Sequence, residues 1–192
     1  MKNIKKRLFL SGLPMVLLST FMNNVAAQEL GIKTNLLYDA TSTINLGVEM
    51  GLHDRWSLDV SANYNGWMTG EKLRLKHWLL QPEARYWLAE RFNGHFLGLH
   101  AHVAGVDMGG TKFPIIEGKG RYKGYLYGAG ISYGYQVILG ERLGLEGTIG
   151  FGYARIDYDR FSCKTCTDKS GPYHKNYIGP TKLGISLIYF IK

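Results

Sequence analysis

The chain has 192 residues, of which 45% are hydrophobic and 20% charged, with a formal charge of +8 and two cysteines. Half of that charge sits in Lys2, Lys5, Lys6 and Arg7, so the remainder lacks the basic excess on which nucleic-acid binding depends. Beyond the N-terminal region no apolar run reaches the length of a membrane helix, so any passage through a bilayer must be made by strands.

The four basic residues precede an apolar stretch at 8–22 and the small residues Val25, Ala26 and Ala27 before Gln28. This is the layout of a secretory signal peptide over 1–27, because the apolar run is short, contains Pro14 and ends in a cleavage site. With no cysteine beside the cut, a lipoprotein anchor is not expected. Residues 28–192 are then one exported domain, in a compartment where disulfides form.

Eight strands are expected in that domain, each alternating with period two. The first spans 31–39, with Ile32, Thr34, Leu36 and Tyr38 opposed by Lys33, Asn35, Leu37 and Asp39. The second, 44–52, sets Leu46, Val48 and Met50 against Gly47, Glu49 and Gly51, and the third, 56–65, sets Trp56, Leu58, Val60 and Tyr64 against Asp59, Ser61 and Asn63. The fourth, 77–88, is less regular, with Trp78, Leu80, Pro82, Ala84 and Tyr86 against Gln81, Glu83 and Arg85. The fifth, 95–105, pairs an aliphatic face with His100 and His102.

The sixth strand, 125–139, is the most regular. Tyr125, Tyr127, Ala129, Ile131, Tyr133 and Tyr135 form one face, and Leu126, Gly128, Gly130, Ser132 and Gly134 the other. The seventh, 143–153, and the eighth, 177–191, follow the same scheme, with Glu146 and Lys182 on the polar face. Connections at 53–55, 89–94 and 140–142 are short, those at 66–76, 106–122 and 160–176 are long and polar, and the one at 40–43 is short. An even strand count with short turns on one side and long loops on the other predicts an all-β, eight-stranded antiparallel up-and-down transmembrane β-barrel. No linker, tandem repeat or second domain is evident. A soluble barrel would show the inverse alternation, and glycines confined to the polar face would only weaken a water-facing surface. Inside a narrow barrel they leave room for charged side chains to cross.

The blocks KTNLLYDA (33–40), NLGVEMGL (45–52), KHWLLQPEARYW (76–87), FNGHFLGLHAHV (92–103), YGAGISYGYQ (127–136), GFGYARIDYDR (150–160) and GPTKLGISLIY (179–189) resemble an uncharacterised family of small Bacteroidota outer-membrane β-barrels, a domain of unknown function. The resemblance implies an integral outer-membrane location with both termini periplasmic and brings no established activity. Because genes of that family often neighbour fimbria-type genes, it also implies a fimbria-type or other surface protein as a partner. Lys182, Gly184, Leu187 and Tyr189 resemble the terminal-strand pattern read by the barrel-insertion machinery, although the chain continues through Phe190, Ile191 and Lys192.

An eight-stranded barrel has an interior just wide enough to be filled by side chains, and charges placed there must pair. Lys33, Asp39, Glu49, Asp59, Glu83, Arg85, Glu146 and Lys182 face inward on this reading, with Arg85 at the centre because a guanidinium satisfies two carboxylates at once. His100 and His102, two apart on a strand, are weak metal candidates without an evident third ligand. Cys163 and Cys166 are candidates for a disulfide in the last long loop; with His174 they make only a partial zinc set. Ser132 and Ser186 point inward, away from any lipid substrate, so no catalytic residue and no cofactor is assigned.

The long loops are basic, and Lys72, Arg74, Lys112, Lys119, Arg121 and Lys123 are the candidate contacts for lipopolysaccharide phosphates or an acidic surface partner. The expected function is that of a non-enzymatic barrel with a filled lumen whose loops bind a surface partner or envelope component. The alternatives are a lipid- or lipopolysaccharide-modifying enzyme and an accessory subunit of a larger surface complex.

Overall fold

The computed structural model describes residues 30–69, 73–109, 121–161 and 169–191. The elements in chain order are β1 (Leu30–Asn35), α1 (Leu36–Ala40), β2 (Ile44–His53), β3 (Trp56–Asn65), β4 (Met68–Thr69), β5 (Leu73–Trp87), β6 (Gly94–Gly109), β7 (Arg121–Ile138), β8 (Leu143–Phe161) and β9 (Lys169–Ile191). Each long strand pairs antiparallel with its neighbours, β3 pairs with β5, and β1 pairs with β9. Eight up-and-down strands thus close into a ring, and β4 is a two-residue addition to the end of β5. Leu30 lies opposite Ile191, so both ends of the described domain are at one rim. No helix among the described residues is long and apolar enough to cross a membrane.

The ring is inverted relative to a water-soluble core. Leu99, Ile131 and Leu183 are 65%, 68% and 62% exposed on the outer wall, whereas Glu49, Glu83 and Arg85 inside are at most 1% exposed. The rim near the termini is sealed by Trp87, Phe92, Phe96, Ile188 and Phe190, whose rings meet at tilted and edge-on angles. A charged layer lies above this plug, and the imidazoles of His100 and His102 are also on the inner face.

The glycines of the inner face make that filling feasible. Gly130 of β7 lies opposite both His100 of β6 and Gly152 of β8. A Cβ on Gly130 would run into the Phe151 carbonyl oxygen and stand 2.8 Å from His100 Nε2. Gly134 likewise yields its inner face to the Phe96 ring.

Several bounds differ from the sequence expectation, and β1 differs most. It stops at Asn35, whose side chain accepts from the Leu37 amide (3.1 Å) and caps the single helical turn α1. Asp39, expected in the inner charged set, instead lies in this turn, where it accepts from Thr34 Oγ1 (2.8 Å) and Asn45 Nδ2 (2.7 Å). At the outer rim, β5 to β9 continue into the segments expected as long loops. Hydrophobic alternation marks a strand only while its outer face is apolar, and here the outer face turns polar before the pairing ends. Tyr158 packs against Tyr122 and Tyr173 in that extension, with ring centroids 5.9 and 5.8 Å away.

Replacing Gly130 with valine is expected to overpack the interior and lower unfolding stability by about 1–3 kcal/mol in a urea titration. The same-sized change at its outward neighbour, Ala129→Val, is expected to leave the midpoint within about 0.5 kcal/mol of wild type.

Candidate functional site

Strand register creates the central electrostatic problem of this fold. Glu49 of β2 lies opposite Asp59 of β3, and Asp59 lies opposite Glu83 of β5, so three carboxylates stand in a row on the inner face. Like charges placed directly across a sheet repel, and burial magnifies the cost. Arg85, two residues along from Glu83 and on the same face, resolves it. Its Nε donates to Glu83 (2.6 Å), Nη1 to Glu49 (2.9 Å) and Nη2 to Asp59 (3.0 Å). Both Nη atoms also hold Glu146 of β8 in a fork, at 2.7 and 3.1 Å.

Two lysines complete the layer. Lys33 of β1 pairs with Glu49 and lies 2.7 Å from Glu146; Lys182 of β9 reaches Glu83 (3.0 Å) and Asp59 (3.5 Å). Hydroxyls take up remaining carboxylate lone pairs: Ser57 donates to Glu49, Ser132 to Glu83 (2.9 Å) and Thr148 to Glu146 (2.7 Å). The layer is tied to the aromatic plug twice, by the Arg85 guanidinium 4.4 Å above the Phe96 ring and by Trp87 Nε1 donating to Ser57 Oγ (2.8 Å). Seven of the eight charged residues expected on the inner face therefore meet in one cluster, Asp39 being the exception. Its four carboxylates face three fixed cations, and Asp59 Oδ1 has no hydrogen-bond partner among the described residues.

Two features of this region were not visible in the alternation. At the bulge between β8 and β9, Gly150 pairs with Lys182 and Phe151 with Pro180, leaving Thr181 as the extra residue. Successive residues Thr181 and Lys182 both act inside the ring: Thr181 Oγ1 meets His100 Nε2 at 2.9 Å while Lys182 enters the charged layer. The sequence signal was Pro180, since proline within a strand is confined to edges and bulges. The second feature is the aromatic plug, for which Phe96, Ile188 and Phe190 on the polar-phase positions were the clue.

The expectation of a filled interior is corrected at the outer end. Toward the rim remote from the termini, the inner face changes to Leu79, Ala104, Val106, Leu126, Ala154 and Ile156, which line an open cavity of about 430 Å³. Counting strands sets the bore, but small residues on facing strands decide whether it fills. A second, polar pocket of about 40 Å³ adjoins Asp59, with room for water only.

His100 and His102 lie side by side with ring centroids 5.8 Å apart. Among the described residues no three His, Cys, Asp or Glu side chains gather to hold a metal. Cys163, Cys166, Lys72, Lys112 and Lys119 lie outside the described residues, and Arg74 is placed in β5 by its backbone. Arg121, expected as a loop contact, is already engaged: its Nε and Nη2 grip Asp107 at 2.7 and 2.8 Å, and its guanidinium lies 5.1 Å from the Phe161 ring. Lys123 is exposed. In the terminal strand Leu187 and Tyr189 face outward while Lys182 and Gly184 face inward.

Removing Arg85 leaves adjacent buried carboxylates uncompensated, so Arg85→Met is expected to cost about 3–5 kcal/mol in unfolding stability. Adding Glu49→Gln and Glu146→Gln to that variant is expected to recover a substantial part of the loss, read from the same urea midpoints.

No curated protein and no solved structure matches the chain. A family model matches residues 13–191, a span that covers the whole ring, its charged layer and its cavity. The chain belongs to the family described as protein of unknown function (DUF3575).

Proposed function

We propose that this protein is an integral outer-membrane β-barrel and a non-enzymatic interaction protein, with a rigid charged core that supports outward-facing loops. The observation that carries the reading is the inversion of the ring, with large apolar side chains exposed around the wall and ionic groups buried within. Such a continuous apolar belt is suited to lipid and is a liability in water.

Two aromatic tiers reinforce it. Tyr64 lies opposite Trp78, and Trp78 and Tyr125 both lie opposite Gly105 toward the outer rim; Trp56 lies opposite Tyr86, and Tyr86 and Tyr133 both lie opposite Leu97 toward the other rim. From Tyr125 to Tyr133 the strand climbs eight residues, or about 20 Å along the axis at ~3.3 Å per residue and ~40° tilt. That is close to the ~25 Å apolar band between the aromatic girdles of outer-membrane barrels.

Short turns and both ends of the domain share one rim, which on this reading is periplasmic, and the extended hairpins stand outside. Strand insertion by the barrel-assembly machinery fits the outward placement of Leu187 and Tyr189. Lys123 is exposed near the outer rim, and the sequence of the strand ends and connections on that side adds the basic residues Lys72, Arg74, Lys112 and Lys119, a composition that matches lipopolysaccharide phosphates or an acidic surface protein, including a fimbria-type one. Arg121 contributes less to contact, because its fork is occupied by Asp107.

The compact barrel is expected to migrate faster on a gel before boiling than after it, with β-rich circular dichroism; helical dichroism and a single unshifted band would contradict the reading. Ile131→Arg, in the middle of the apolar wall, is expected to lose about 2–4 kcal/mol when folded in phospholipid bilayers. Neutralising Lys112, Lys119 and Lys123 together is expected to weaken adsorption to lipopolysaccharide several-fold at low salt; unchanged adsorption would remove the loops from that role.

A further inference from the structure

The outer cavity has the properties of a ligand site rather than of a packing fault. Its volume of about 430 Å³ falls within the ~300–1,000 Å³ typical of small-molecule pockets. Leu79, Val106, Met108, Leu126 and Ile156, from four strands, give it an aliphatic wall. Apolar surface left wetted in such an open cavity is unfavourable in proportion to its area. The strands nevertheless place alanines, Ala104 and Ala154, where larger side chains would close it.

Among the described residues the lining contains no aspartate, glutamate, lysine or arginine; its polar groups are the hydroxyls of Tyr38, Thr41, Tyr177 and Thr181 and the imidazoles of His77 and His102. Of these, His102 is 6% exposed, and its Nδ1 has no hydrogen-bond partner among the described residues. A buried ring nitrogen without a partner is a point at which a ligand's hydrogen-bonding group gains most. The bore of an eight-stranded ring is narrow, which admits one chain but not a two-tailed lipid or a folded peptide.

We propose that this cavity binds a single uncharged alkyl chain headed by a hydrogen-bonding group, the aliphatic wall holding the chain and His102 meeting the head. The head is uncharged because no fixed charge among the described lining residues would neutralise it. The inference rests on the barrel reading, since entry is from the rim that faces outward. The chain is that of a free alcohol-like molecule entering head first, because His102 is the innermost β6 residue of the lining and a lipid tail inserted from that rim would bring only its terminal methyl there.

The test uses the full mature protein folded into phospholipid bilayers and a dodecanol carrying a diazirine, with the labelled residues identified by mass spectrometry. Labelling is expected on inward Leu126 and Ile156. Excess unlabelled dodecanol is expected to reduce it about tenfold more effectively than dodecanoate, a preference of ~1.4 kcal/mol for the uncharged head. A parallel arm carries the same diazirine chain esterified in phosphatidylcholine, and inward labelling in that arm as strong as with dodecanol would overturn the head-group assignment. Ala104→Leu with Ala154→Leu, which fills the cavity, is expected to abolish inward labelling while keeping the heat-shifted band. Should that double variant not fold, the dodecanol competition on the wild type decides alone. Labelling confined to outward Tyr127, Ile131 and Phe151, or inward labelling that dodecanol does not compete, would overturn the inference. A wild-type protein without the heat-shifted band would instead bring down the barrel reading, and this inference with it.

Discussion

Arg85 touches four carboxylates carried by four strands, and the rest of the interior is arranged around it. The register that closes the ring forces Glu49, Asp59 and Glu83 into one row, an arrangement that cannot be buried without a cation reaching all three. A lysine offers a point charge and could not spread over them; the planar guanidinium holds one carboxylate in a fork while its other donors reach the rest. Lys33 and Lys182 approach from β1 and β9, so the layer crosslinks the strands at which the ring closes with those at its far side. The aromatic plug then braces Arg85 from below through Phe96, and Trp87 fixes the serine that donates to Glu49.

On the proposed reading the wall of such a core has a different solvent from the interior. Burying seven charged groups is costly, and repaying that cost through geometry leaves little freedom for the ring to breathe. The apolar residues that would form the core of a soluble domain are therefore on the outside, and on the proposed reading lipid covers them. The bore divides functionally as well: a closed, ionic half toward the termini, and an open, aliphatic half toward the extended hairpins. The glycines serve the first half by yielding space to His100, Phe96 and the charged side chains, whereas Ala104 and Ala154 keep the second half empty.

Much of this was legible from residue order alone. The bounds of β3, the short turns, the inner face of β7 and the membership of the Arg85 cluster follow from period-two alternation and the need of buried charges for partners. What escaped it has common physical causes. The turn at α1 depends on Asn35 capping and Asp39 hydrogen bonding, which compete locally with strand pairing and leave the alternation of residues 31–39 intact. The hairpins outlast their hydrophobic signal because backbone pairing needs no apolar face. A one-residue bulge at Thr181 reverses phase within a strand, so alternation read outward from Leu183 cannot see it. The cavity depends on which small residues face one another across the bore, a property of tertiary register. Arg121 shows the limit for sites, since a basic loop residue and a structural ion pair look the same in sequence.

Oxygen accessibility of nitroxide side chains along β7, placed at Leu126, Tyr127, Ile131, Ser132 and Tyr133 in the protein folded in bilayers, bears most directly on the inverted ring. High oxygen and low polar-reagent collision is expected at Tyr127, Ile131 and Tyr133, with both low at Ser132 in the packed interior. Access of the polar reagent to Tyr127, Ile131 and Tyr133 together would show that this wall faces water, and would contradict the membrane-embedded ring.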